Sequence, residues 1–443
     1  MIKPSEEQAK VIACDESAVV SARPGSGKTF TMARMIAKES ERLLSYQGVV
    51  AISYTRKASA ELRTRCSGLG VRVGNSFFGT IDSFCLAMII QQFAFHVVGR
   101  IVNIDIADDD RTLPVARIKE RWTSPNEDRW DLVREALALG VLPVSALSEV
   151  AYCMVRHVPA VRSFLHARYK AVFIDEYQDC GLAQHMLFME LVSLGIRGVA
   201  FGDIDQAIFA YDGRSSAFLN ELIADSRFRS FEITENHRCH RSIVDYSLRL
   251  LGAQTPSHIH QDKRVVLAKV SGDESNIANA IREHLDEIAE RYGVDHRNEF
   301  ALLSTSNKML ERYAGLLRIP SKIVVSTKLD AGFSRSRLFF RDLLVFLYSG
   351  GYVGEFLDTY IPAEQMSRAR FTANDLLQDM KDTSDDSWNG LYDSFCKLEE
   401  LCLGDADDPK AHIDLGELLS NVDELRGCLL YTSPSPRDIS GSR

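Results

Sequence analysis

The sequence predicts an α/β fold: a doubly wound parallel sheet with a helical insertion, followed by the start of a second α/β domain. Three observations predict it. Short apolar runs at residues 18–20, 49–53, 171–174, 199–201 and 231–233 alternate with longer stretches of helical periodicity. A strand covered by helices on both faces reads as such an unbroken apolar run. A glycine-rich segment, Ser21-Ala22-Arg23-Pro24-Gly25-Ser26-Gly27-Lys28-Thr29, lies between the first run and a helical pattern over residues 30–42. Finally, paired carboxylates, Asp175 and Glu176, follow directly on the run ending at Ile174, and ligands of open parallel sheets sit at the carboxyl ends of the strands.

Each element follows in chain order. After the segment from 91 to 168 breaks the rhythm with Asp108-Asp109-Asp110, Trp122 to Trp130 and Gly140 to Pro143, the alternation resumes, and we read that segment as a helical subdomain inserted into the first domain. Beyond Thr234 the pattern gives a strand-like 265–270, a helix over 274–292, a strand-like 300–303, a helix over 307–317 and a strand-like 323–325. From Leu338 to about Arg426 it is helical and interrupted by acidic turns. The last residues, 428–443, switch to a Ser/Pro/Gly-rich string that resembles translated read-through of a sequencing-library adapter. They are excluded from fold reasoning, and on that resemblance the native chain is expected to be cut near Gly427.

Composition bounds the function. A chain of 443 residues exceeds what one core holds and divides into domains. Its 45% hydrophobic and 26% charged residues are those of a globular protein. A net charge of −9 argues against coating of nucleic acid by bulk positive field. It leaves room for a narrow groove in which bases stack on aromatic side chains. The nine cysteines include no Cys-x-x-Cys pair and no metal-ligand spacing with His, so neither zinc nor disulfides are expected. No uninterrupted apolar stretch of membrane-spanning length and no signal-peptide core is read in the sequence, so the expectation is a cytoplasmic protein with no membrane partner.

The chemistry begins at the glycine-rich segment. Gly25 and Gly27 let backbone N–H groups curl toward phosphate oxygens, and the following helix directs its positive end to the same place. The span Ala22-Arg23-Pro24-Gly25-Ser26-Gly27-Lys28-Thr29 is therefore read as an ATP-binding loop. In that reading Lys28 reaches the β- and γ-phosphates, and Thr29 and Asp175 hold Mg²⁺ from opposite sides. Glu176 positions and deprotonates the attacking water. A strict phosphate-loop pattern has Gly at position 22, where this chain has Ala.

Further strings stand between and after these two segments: Ser53-Tyr54-Thr55-Arg56-Lys57-Ala58, Gly79-Thr80-Ile81-Asp82-Ser83-Phe84, Gly202-Asp203-Ile204-Asp205-Gln206, and Glu235-Asn236-His237-Arg238-Cys239. In order and spacing they resemble the successive motifs of superfamily 1 helicases of the UvrD/Rep/PcrA type over about residues 1–345. The resemblance implies a RecA-like P-loop NTPase domain at 1–90 and 166–245 with a helical insertion at 91–165. An incomplete second RecA-like domain would occupy 246–345, with a further helical insertion at 346–427.

It also implies roles at matching positions. Gln8 would read adenine through its amide. Gln206 would sense the γ-phosphate, and Arg238 would stabilise charge spreading in the transition state. Single-stranded DNA would contact Tyr54, Thr55, Arg56, Thr80 and Asp82, and Tyr211 would stack a base where relatives usually carry tryptophan.

Departures from the family pattern are Asp82 where histidine is frequent, Phe209 for tyrosine, Asp212 for arginine and Ser304 for arginine. No His-Ser-Ala-Lys-Gly-like or Thr-Arg-Ala-Arg-like string follows; Arg335-Ser336-Arg337 and Ser367-Arg368-Ala369-Arg370 are poor substitutes because no strand context precedes them. The family implies an ATP- and Mg²⁺-dependent translocase on single-stranded DNA with 3′-to-5′ unwinding. This chain is expected to bind ATP with half of the catalytic cleft missing. The Gly-Thr-Ile-Asp-Ser-Phe and Asn-His-Arg-Cys strings are also similar to UvrD-like subunits of Gabija anti-phage systems. From that comes the alternative of a nucleotide- or DNA-sensing subunit that regulates a nuclease partner without unwinding.

Overall fold

A computed structural model describes residues 3–71, 73–107, 129–206, 216–252, 264–294, 299–304, 306–317, 319, 339, 342–343, 346–347, 353–361, 368–382 and 388–403. The chain divides into two compact units, 1–266 and 267–443.

The first unit is built on a six-stranded sheet of order β3-β2-β6-β7-β1-β8. Its strands are β1 (Ala18–Ala22), β2 (Gly48–Ile52), β3 (Phe77–Gly79), β6 (Tyr169–Ile174), β7 (Arg197–Gly202) and β8 (Arg229–Ile233), and every pairing is parallel. The register aligns Val20 with both Phe201 and Phe231, and Phe173 with both Ala51 and Val199. The inner strands are buried along almost their whole length, as the unbroken apolar runs require. At the β8 edge Arg229, Ser230 and Glu232 are exposed while Ile233 is buried. That edge carries charge, which blocks further pairing.

Sequence reading finds five of these strands and misses β3. Three residues are too few for a periodic signal, and β3 forms only because β2 offers it a ladder and Ser53 N–H donates to Gly79 O at 3.1 Å. One face of the sheet is covered by helices α1 (Glu6–Ala13), α2 (Lys28–Ser40) and α3 (Arg56–Gly68), which bury Val11, Met32, Met35, Ile36 and Leu62 against Val20, Ala51, Phe173 and Phe201.

The insertion is helical as expected, with helices Arg129–Leu139, Leu147–His157 and Pro159–Arg168. In Leu147–His157 the buried Leu147, Val150, Ala151, Met154 and Val155 follow the spacing of one helix face. A short parallel pair, β4 (Asp105–Ala107) with β5 (Val141–Pro143), was not foreseen; the 140–143 segment, read as a break between helices, is partly this strand.

The expectation concerns an uninterrupted apolar run; one interrupted helix is nonetheless long and apolar enough on average to cross a membrane. Helical residues Ile81–Val98, with a π-helical turn at Cys85–Ile90, have a mean hydropathy of 1.5 and suffice by length and composition. The sequence masks this because Gln91 and Gln92 interrupt the run. In the fold Phe84, Cys85, Ile89, Ile90 and Ala94 of this helix are buried in the first unit.

The second unit contains the two foreseen helices. Glu274–Tyr292 begins at a capping box between Asp273 and Asn276 and ends at Gly293 in the left-handed region; Arg312 of helix Asn307–Leu317 pairs with Glu274 at 3.1 Å. The strand-like segments 265–270 and 300–303 are not strands. They have no ladder partner among the described residues, and Leu267 and Leu303 are 93% and 90% exposed. A β-pattern without a neighbouring strand leaves its backbone to water. Segment 323–325 and residues 428–443 lie outside the described residues. Helices Val353–Tyr360, Arg368–Asp382 and Trp388–Leu403 contribute Phe356, Leu377, Phe395 and Leu398 to one core with Phe339 and Leu343. Arg370 is therefore helical and donates to Ile361 O; Arg335 and Arg337 are outside the described residues.

Candidate functional site

Every residue of the proposed site in the first unit that the structure describes, apart from Gln8 of α1, stands at or just beyond the carboxyl end of a parallel strand. The glycine-rich loop follows β1, Tyr54 follows β2, Thr80 follows β3, Asp175 follows β6, Asp203 follows β7, and Asn236 to Arg238 follow β8. Parallel pairing brings these ends together, and the sequence separation between them disappears.

Gly25 and Gly27 have φ of +72° and +83°. A Cβ on Gly27 would stand 2.6 Å from Gln8 Nε2, and one on Gly25 would stand 2.6 Å from Asn236 Nδ2. Gly27 is also the N-cap of α2, with no side-chain hydrogen bond at the cap. Free N–H groups therefore remain at that helix start. Ser26 Oγ is buried without a hydrogen-bond partner among the described residues. A cradle that only glycine fits, an orphaned hydroxyl and an uncapped helix start together suit phosphate oxygens.

The loop is held from both sides. Gln8, only 3% exposed, donates from Nε2 to Ser26 O at 2.9 Å and accepts from Ser5 N–H at 3.0 Å. Its amide thus braces the loop in this conformation. On the other side, Arg23 N–H donates to Ile233 O, His237 N–H donates to Gly25 O at 2.9 Å, and Asn236 Nδ2 donates to Pro24 O at 2.6 Å. Glu7 accepts from Thr234 N–H and Oγ1 at 2.8 and 2.9 Å. Burial works to raise the Glu7 carboxyl, but the hydrogen bonds from Thr234 and Glu235 leave it lowered. Arg238 is exposed beside the loop, its Cβ 3.0 Å from where a Gly25 Cβ would be. Asn236 and Glu7 are contributors to which the sequence reading assigns no role.

The charged centre is compact. Lys28 Nζ lies 3.0 Å from Glu176 Oε2, and Gln178 Nε2 donates to the same oxygen at 2.8 Å. Glu176 has φ of +52°, the one non-glycine in the left-handed region among the described residues. Such a conformation costs about 1–3 kcal/mol. It persists because the peptide is pinned: Glu176 N–H donates to Asp175 Oδ1 at 3.0 Å, and Asp179 N–H donates to Glu176 O.

Burial pushes the Asp175 carboxyl up to about 6; the neighbouring Glu176 charge adds to this and Lys28 opposes it. Burial likewise raises Asp203. Three carboxylates thus interact with one ammonium, an excess of negative charge that suits a divalent cation. No group of three or more His, Cys, Asp or Glu in ligating geometry occurs among the described residues. A cation here would take one or two protein ligands, Asp175 and the Thr29 hydroxyl, completed by water and phosphate oxygens, which is the habit of Mg²⁺.

The Asp175 shift gives a test. Its folded value is above its unfolded one, so between about 3.8 and 6 the folded state binds the extra proton and stability falls as pH rises. Asp175→Asn keeps the acceptor for Glu176 N–H and removes the buried charge. We expect it to be more stable than the parent by about 1–2 kcal/mol at pH 7.5, with the gain vanishing near pH 4. Calorimetry at the two pH values decides; a lower melting temperature at pH 7.5 would refute the assigned cause.

Beside the carboxylates opens a cavity of about 230 Å³ lined by Tyr54, Thr80, Asp82, Asp175, Glu176 and Gln184, among others. Tyr54 is 46% exposed. Thr55 caps α3 by accepting from Ala58 N–H at 3.1 Å, and Arg56 opens that helix. Thr80 caps the next helix through a reciprocal bond with Ser83. Gln206 Nε2 donates to Asp203 Oδ2 at 2.8 Å. Tyr211, Phe209 and Asp212 lie outside the described residues.

A family model, the UvrD/REP helicase N-terminal domain, matches residues 4–137 and 128–226, half of the chain. The Gabija protein GajB of Bacillus cereus (strain VD045) is 28% identical over 261 residues, covering 56% of this chain and 49% of that protein. ATP-dependent DNA helicase UvrD1 of Mycobacterium tuberculosis (strain ATCC 25618 / H37Rv) is 24% identical over 385 residues, covering 73% of this chain and 49% of that protein. ATP-dependent DNA helicase PcrA of Bacillus subtilis (strain 168) is 24% identical over 251 residues, covering 48% and 34%. The chain spans about half the length of the first two of these relatives.

Proposed function

The chain belongs to the UvrD/REP helicase family, and from that premise we propose that its first unit is the ATP-hydrolysing lobe of a Mg²⁺-dependent, 3′-to-5′ translocase on single-stranded DNA. One observation carries the reading: the cavity that holds Asp175 and Glu176 is also lined by Tyr54, Thr80 and Asp82. In this reading nucleotide chemistry and strand contact share one cavity.

In this reading the N–H groups around Gly25 and Gly27, with Lys28, hold the phosphate chain of ATP. Thr29 and Asp175 would hold Mg²⁺, which supplies charge neutralisation across the phosphate oxygens. Glu176 orients the attacking water and accepts its proton. Arg238, exposed beside the loop, supplies the permanent positive charge that suits a transition state with charge spread over the γ-phosphoryl oxygens. Gln206, bonded to Asp203, is poised to report whether the γ-phosphate is present.

Tyr54→Ala tests the strand side. Loss of one stacked base costs about 1–3 kcal/mol, so single-strand affinity falls by about 10- to 100-fold at fixed salt while ATP affinity is kept. Fluorescence anisotropy with a labelled oligonucleotide measures it. Unchanged affinity would remove Tyr54 from the interface.

The likeness to GajB favours a second reading, a DNA- or nucleotide-sensing subunit acting on a nuclease partner. A strand-displacement assay separates the two: unwinding supports the translocase, whereas hydrolysis stimulated by DNA ends without unwinding supports the sensor.

A further inference from the structure

We infer that Gln178 is a positioning residue that fixes which oxygen of Glu176 takes the proton and couples that carboxylate to the Gln206 sensor. The inference rests on the reading of this site as an ATP-hydrolysing one.

Gln178 is 2% exposed and touches no part of the phosphate loop by hydrogen bond; its amide spans two strand ends. Nε2 donates to Glu176 Oε2 at 2.8 Å, beyond β6, and Oε1 accepts from Asp203 N–H at 2.9 Å, beyond β7. Only this orientation of the amide satisfies both neighbours, because a carboxylate accepts and a backbone N–H donates. The room for it is built in: a Cβ on Gly202 would come within 2.9 Å of Gln178 Oε1.

The consequence for Glu176 is an asymmetry. Lys28 and Gln178 both donate to Oε2, while Oε1 has no hydrogen-bond partner among the described residues and belongs to a residue that lines the 230 Å³ cavity. Oε1 is therefore the oxygen that accepts the water proton. When Lys28 turns to phosphate, Gln178 remains as the donor that keeps Oε2 in place. The other end of the strut reaches the sensor in one further step, since Asp203, whose N–H holds the strut, accepts from Gln206 Nε2 at 2.8 Å. A displacement of Gln206 is passed through Asp203 and Gln178 to the carboxylate that activates water.

Gln178→Met keeps length and apolar volume and removes both polar ends. Hydrogen bonds to charged groups are the stronger class, so ATP turnover is expected to fall by about 10- to 100-fold with the KM for ATP within about threefold of the parent. Gln206→Met gives its own loss, and the double variant is diagnostic. A shared path predicts that the double variant loses no more than the worse single one, whereas independent residues multiply their losses.

Hydrogen exchange supplies a readout independent of turnover. In the parent, a non-hydrolysable ATP analogue protects both the 176–179 and the 203–206 backbone; in Gln178→Met the protection is confined to one of them. Multiplying losses together with protection of both segments in the variant would overturn the inference while leaving the ATPase reading intact. A parent that neither binds nor hydrolyses ATP would instead overturn the reading of the site, and this inference with it.

Discussion

Glu176→Gln is expected to lower DNA-stimulated ATP turnover by about 10²- to 10⁴-fold, the contribution of a positioned general base, and to leave ATP bound. The amide is close in size to the carboxylate, so the loop that fits around Gly25 and Gly27 is not disturbed. What is lost is the capacity of Oε1 to take a proton. The left-handed backbone at Glu176 is unaffected by the exchange, because its strain belongs to the peptide and to its bonds with Asp175 and Asp179. Removing one carboxylate also relieves Asp175, whose raised value owes its second largest part to Glu176. The Gln variant should therefore bind Mg²⁺ with ATP at least as tightly as the parent at pH 6 to 7. Steady-state hydrolysis with and without an oligonucleotide, paired with equilibrium nucleotide binding, checks both halves. Turnover equal to the parent's would remove Glu176 from the chemistry.

Lys28→Ala has the opposite signature, a loss of binding. Lys28 is almost wholly enclosed, with 12% of its side chain exposed, and it is the cation that opposes the rise of both Asp175 and Asp203. Its removal strips a charge-assisted donor from the phosphates, worth about 1.5–3 kcal/mol, and leaves three carboxylates next to an incoming polyanion. We expect ATP affinity measured without Mg²⁺ to fall by about 100-fold or more. The sign of the pH dependence follows from Asp175. Its carboxyl stands at about 6 with Lys28 holding it down, so without Lys28 it protonates at higher pH. Lowering the pH from 8 to 6 then removes a negative charge from the site, and the variant regains part of its affinity. Titration with a fluorescent ATP analogue at both pH values tests this; affinity within threefold of the parent at pH 8 would exclude Lys28 from the phosphate site.

The proposed nucleotide half of the site could be read in the sequence because its residues are neighbours in the chain. Gly25, Gly27, Lys28 and Thr29 are neighbours in the chain, and Asp175 and Glu176 adjoin each other at a strand end. The roles of Asn236, Glu7 and Gln178 were not legible. Each acts across a gap: Asn236 bonds Pro24, Glu7 bonds Thr234, and Gln178 bonds Asp203. The adenine-reading role of Gln8 is an expectation from its position; what the structure shows is an amide bonded to Ser5 N–H and Ser26 O, contacts that position alone does not reveal. The strand-like segments 265–270 and 300–303 failed for the reverse reason. Apolar composition invites a strand, but a strand exists only where a neighbour supplies hydrogen bonds.

By itself the sequence determined the kind of sheet, the phosphate loop and the carboxylate pair, because unbroken apolar runs require two covering layers and glycine at φ near +70° to +80° has few substitutes. Only the tertiary structure decided what surrounds Glu176. Parallel pairing of β6 with β7 and of β7 with β1 sets Gln178, Asp203 and Lys28 around one carboxylate, and pairing of β6 with β2 opens the cavity it shares with Tyr54. Those relations are distances between chain-remote atoms, and distance across a sheet is set by which strands pair.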